Sequence, residues 1–139
     1  MPVDFRDATE RHWEDAGYLF ADTRLANADH LFGLSAECAL KAVMQGLGMK
    51  LVNNSMPEAP YACHINKLWD EFITFVQNRG GARYATKINV APNPFDDWDI
   101  YQRYDHRSII TEVKAENHRQ AAETTMGILQ AAIINGDVV

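Results

Sequence analysis

The chain has 139 residues, 47% of them hydrophobic and 23% charged, with a net charge of −6. That length suits a single domain over residues 1–139 with a self-sufficient core, and the composition excludes the charge-rich, apolar-poor signature of disorder. The acidic balance argues against indiscriminate binding of polyanions, no apolar run approaches the ~20 residues that cross a bilayer, and two cysteines, Cys38 and Cys63, are too few for a disulfide framework.

Residues 4 to 22 carry Phe5, Ala8, Trp13, Ala16, Leu19 and Phe20 at three- and four-residue steps, which predicts an amphipathic helix capped by Asp4, with Asp7 favourable in its first turn. A second helix is predicted from about Leu25 to Leu47, ended by Gly46 and Gly48. Its apolar residues cover more than one face, which calls for helices on several sides or for a second subunit. Val52 to Pro60 reads as a loop by composition, and Cys63 to Gln77 as a third helix through Ile65, Leu68, Trp69, Phe72, Ile73 and Val76. Ala82 to Asp105 has no sustained period, and its only strand candidate is weak, Tyr84 to Val90. Helical spacing returns from about Thr111 to Ile134. The sum is an all-α fold, an antiparallel bundle of four main helices with a long loop or short-helix excursion before the last helix.

Positions 1 to 37 hold eight acidic against three basic residues, whereas residues 79 to 90 hold Arg79, Arg83 and Lys87 with no acid, followed by Arg103, Arg107, Lys114 and Arg119. This is either a local basic face or a solvated one. The five histidines at 12, 30, 64, 106 and 118 and the two cysteines show no paired-ligand spacing, so no metal site is expected. Gly80-Gly81 lacks a phosphate-loop pattern, and no cofactor is expected. Asp96, Asp97, Asp99 and Asp105 form an acidic loop, solvated in preference to cation-binding, beside Trp98, Tyr101 and Tyr104, which either anchor the loop or stack on a base. With no basic-then-apolar leader ahead of the first helix, the expected address is cytoplasmic.

The apolar stretch ANADHLFGLSAECALKAVMQGLG, Ala26 to Gly48, interrupts itself with Asp29, His30, Glu37 and Lys41. His30, Glu37 and Lys41 lie on one helix face, either as a solvated stripe or as a structural polar seam. The apolar surround favours a partly buried Glu37 that needs a partner, and a guanidinium from a later segment would suit it. Glu37 and Lys41 are then structural, orienting the WDIYQRYDHR segment that starts at Trp98.

The run ADHLFGLSAECALKAVM resembles the second helix of HEPN domains, the helical proteins named for nucleotide binding in higher eukaryotes and prokaryotes. RHWEDAGYLF, the His64–Trp69 run HINKLW and WDIYQRY resemble, in order, their first helix, the start of their third and the element before their last. The resemblance implies a homodimeric bundle that binds RNA or a nucleotide, and the toxin-like member of a two-component system is among the roles it suggests. The alternative it implies is a non-catalytic dimeric module that holds a protein partner such as a nucleotidyltransferase. Ribonuclease members carry an arginine and a histidine with four to six residues between them near the start of the last helix, whereas Arg103-Tyr104-Asp105-His106 has two residues between them. A literal match to that spacing, Arg24 and His30 with five residues between them, lies at the start of helix two and reads as coincidence. The candidate catalytic pair is Arg103 and His106, with His106 as base and Arg103 or Arg107 as phosphate clamp, and the binding candidates are Arg103, Tyr104 and Arg107. The competing reading pairs Arg103 structurally with Glu37 or a loop aspartate.

Overall fold

Asp4 caps the first helix as its position predicts, accepting from the Asp7 amide at 2.9 Å, and α1 runs Phe5–Ala21 in the computed structural model, which describes residues 2–88 and 92–139. Three residues turn the chain into α2, Leu25–Gly46. At its end the Met49 amide reaches back to the Met44 carbonyl at 2.9 Å, and Gly48 takes the left-handed φ of 105° that this closure requires.

The Val52–Pro60 stretch is not wholly irregular. Strands β1, Leu51–Val52, and β2, Met56–Pro57, pair antiparallel, Leu51 opposite Pro57, across a turn in which Asn53 and Asn54 both have positive φ. Helix α3 spans Ile65–Gln77, with His64 at its N-cap. The strand candidate at Tyr84 is corrected: Ala82–Ile88 is a short helix, α4, on which Tyr84, Ala85 and Ile88 point inward at helical spacing, while Asn89 and Val90 lie outside the described residues. Two 3₁₀ turns follow, Ile100–Tyr104 and Arg107–Ile109, and α5, Glu112–Ile134, is capped by Thr111, which accepts from the Lys114 amide at 3.1 Å. The excursion before the last helix is therefore partly helical, and the described residues are mostly helical.

Helix α2 is the hub, in contact with α1, α3, α5 and both 3₁₀ turns. Its buried Ala28, Phe32, Ala36, Ala39, Leu40, Val43 and Met44 face several directions, and helices of the same chain cover them. The small residues permit close approach. Ser35 donates to the Thr9 carbonyl of α1 at 3.0 Å, and a Cβ on Gly33 would sit 2.1 Å from the Trp98 ring. Helix α5 turns a 3–4 stripe inward, Ala115, His118, Ala122, Thr125, Leu129 and Ala132, of which His118 is the ionisable member. Among the described residues no helix is long and apolar enough to cross a membrane.

Candidate functional site

A cleft of about 880 Å³ opens between the start of α2 and the two 3₁₀ turns. Arg24, Arg103, Arg107 and His106 line it together with Asp22 and Asp105, so three guanidiniums face two carboxylates. Ala26 and Asn27 of the first turn of α2 also line it, and that helix end has no side-chain cap, because Arg24 occupies the capping position. Uncapped first-turn amides and the positive end of the helix dipole add to the attraction for an anion. Of the arginines, Arg24 lies 3.7 Å from Asp22 with both side chains exposed, and Arg103 lies over the exposed Tyr104 ring at 4.8 Å.

Arg103, His106 and Arg107 thus share one cleft, as their proximity in sequence allows. His106, however, is held as an N-cap: the Ser108 amide donates to its Nδ1 at 3.2 Å. That bond requires an unprotonated Nδ1, so a neutral ring carries its proton on Nε2 and has no outward lone pair for use as a base. Tyr104 and Tyr101 stand exposed beside the cleft, which leaves their rings available for stacking, while Trp98 is the loop anchor, buried with its Nε1 donating to the Asp29 carbonyl at 3.1 Å.

Of the three residues on that face of α2, Glu37 and Lys41 pair with each other. Glu37 is buried and accepts from Lys41 Nζ at 2.8 Å and from His64 Nδ1 at 2.9 Å. The expected guanidinium is replaced by an imidazole, because the segment that reaches Glu37 is the start of α3. Burial by itself would raise the Glu37 carboxyl, but the His64 hydrogen bond and then Lys41 outweigh it and hold it below the usual carboxylate range. Glu37, paired with Lys41, consequently pins the start of α3, and among the described residues the hydrogen bonds of the two run there and not to the WDIYQRYDHR segment. His30 departs from the seam: its ring stacks on Trp98 at 5.6 Å and 14°, and burial, then the charge of Arg103, lower its pKa.

The residue that orients the Trp98 segment is Asp29. Fully buried, it accepts from His118 Nδ1 at 2.5 Å on one carboxylate oxygen and from Gln102 Nε2 at 2.7 Å on the other. Gln102 in turn completes a capping box with Asp99 at the start of the first 3₁₀ turn. His118 spends its second nitrogen on Asp97 at 2.7 Å and stacks on Phe95 at 5.2 Å. Burial lowers the His118 pKa, yet the hydrogen bonds and charges of Asp29 and Asp97 prevail and raise it overall. The acidic loop is therefore partly committed, Asp97 to this imidazole and Asp99 to its cap. A sequence signal for the network existed, since Asp29 and His118 each interrupt an apolar stripe, and such groups need partners.

Burial pushes the Cys38 thiol up to about 12 and also raises Cys63, so neither is a thiolate nucleophile at neutral pH. Among the described residues no three His, Cys, Asp or Glu side chains are placed to hold a metal ion. No protein-family model, no curated protein and no solved structure matches this chain.

Proposed function

We propose that the chain is a HEPN-like antiparallel four-helix bundle, cytoplasmic and homodimeric, that binds the phosphates of RNA or of a nucleotide in the cleft at the start of α2. The observation that carries this reading is the convergence of Arg24, Arg103 and Arg107 on an uncapped helix N-terminus. Exposed Tyr101 and Tyr104 next to it offer faces on which bases stack. Binding is expected without efficient cleavage, because His106 is held in the tautomer unsuited to a base, and a role as the toxin-like half of a two-component system would need that hold released.

Fluorescence anisotropy with a short single-stranded RNA at two salt concentrations tests it. Affinity should fall steeply with salt, and Arg103→Ala or Arg107→Ala should each lower the logarithmic salt slope by about 0.7 without unfolding the protein. No binding by the parent at low salt would refute the reading. A second reading, a non-catalytic dimeric module that holds a protein such as a nucleotidyltransferase, is favoured by the exposure of Ile109 and Val113 in addition to the two tyrosines. Light scattering separates the parts: a mass near 15.7 kDa at micromolar concentration would exclude the homodimer in either reading.

A further inference from the structure

We propose that His118 is a proton-dependent tether of the segment from Phe95 to Arg103, and thereby a positioning residue for the anion cleft. The proposal deepens the reading of the cleft and rests on it for its effect on ligand, though not for the tether itself.

Both ring nitrogens of His118 face carboxylate oxygens, Asp29 at Nδ1 and Asp97 at Nε2. Only the imidazolium can donate to both. A neutral ring must turn a lone pair on one of the two carboxylates, and burial decides which bond fails. Asp29 is fully buried and cannot reach water, whereas the Asp97 side chain is 60% exposed and can. Loss of the proton therefore keeps Nδ1–H on Asp29 and releases Asp97 into solvent.

What Asp97 holds is the approach to the cleft. Phe95 stacks on the His118 ring, Trp98 donates to Asp29, and Asp99 and Gln102 cap the turn from which Arg103 projects. Freed at Asp97, this segment retains its bonds to α2 but loses its bond to α5. The charged groups that face His118 among the described residues are Asp29 from α2 and Asp97 from the loop, with Gln102 behind Asp29. His30, stacked on Trp98, is the neighbouring titratable group, but its pKa is lowered where that of His118 is raised, so the two act on opposite sides of the ordinary histidine value of 6.5.

The tether is read by amide hydrogen exchange of the free protein, as protection factors for residues 96–104 on both sides of the His118 transition. Loss of one charge-assisted hydrogen bond predicts about a tenfold drop in protection as pH rises through it. Asp97→Asn is the decisive variant, because an amide can accept from the imidazolium or, rotated, donate to the neutral ring, so its profile should be flat. A parent profile that is itself flat, or an unchanged drop in Asp97→Asn, overturns the proposal. RNA anisotropy on the same samples reads the consequence, a several-fold weaker affinity above the transition that Asp97→Asn abolishes and that His106→Asn, which removes the cleft's own imidazole, leaves in place. If the parent binds no RNA at any pH while protection behaves as stated, the reading of the cleft fails and the tether stands.

Discussion

Glu37→Ala should destabilise the protein by about 3 kcal/mol at pH 7. The carboxylate accepts from both Lys41 and His64, and the Glu37 and Lys41 side chains are only 10% and 9% exposed. Removing one partner of a buried pair costs about 3 to 5 kcal/mol, since the other charge is left without compensation. The lower end applies here for two reasons. His64 is 47% exposed and can bond water instead, and the lysine stem can bend its ammonium towards the surface. The double variant Glu37→Leu with Lys41→Met leaves no stranded charge, so it should lie within about 1 kcal/mol of the parent. The pH dependence has a definite sign. Because the folded carboxyl lies below its ordinary value of 4.5, its contribution is fully present above 4.5 and is lost as pH falls through the folded value. The penalty of Glu37→Ala should therefore shrink in acid. Urea melts with a fixed m-value measure all of this. A loss below about 0.5 kcal/mol at pH 7 would mean that the pair is no better than a solvated one, and equal losses in the single and double variants would deny the stranded charge.

Three further outcomes follow from the geometry. Gly33→Ala drives a Cβ into the Trp98 ring and should cost about 1 to 3 kcal/mol in a thermal or urea melt, with changed tryptophan fluorescence; a neutral result would show that the ring has room to move. His118 has a raised folded pKa, so its stabilisation is fully present below 6.5 and is lost as pH rises through the folded value. The urea midpoint of the parent should accordingly decline over that window while His118→Gln does not, and parallel profiles would dismiss the linkage. Thr111→Ala, which removes the side-chain acceptor for the Lys114 amide, should cost about 1 kcal/mol, and no change in the melt would show that water replaces the cap.

Much of the fold was legible because helices declare themselves locally. The caps of Asp4 and Thr111, the 3.6-residue spacing of α1, α3 and α5, and the glycines that end α2 depend on residues a few positions apart. The short helix α4 shows in the sequence only as a weak strand candidate within a stretch of no sustained period, because seven residues do not complete enough turns for a helical period to stand out. Within the site, the nearness of Arg103, His106 and Arg107 was readable from their spacing, whereas Arg24 enters the cleft from another element nearly eighty residues away.

The sequence by itself determined a helical chain with an acidic first helix, an apolar second helix interrupted by Asp29, His30, Glu37 and Lys41, and a basic segment before the last helix. The apolar surround of Glu37 also indicated a partly buried carboxylate in need of a partner, because desolvation of an unpaired carboxylate is too costly to leave uncompensated, whereas the burial of Asp29 emerged only from the fold. Which partners they found only the tertiary structure decided. Glu37 met His64, 27 residues on, and Asp29 met Gln102 and His118, 73 and 89 residues on. Local spacing carries no information over such separations. It is the packing of α3 and α5 against α2, with Trp98 seated on Gly33, that selects one imidazole for each carboxylate.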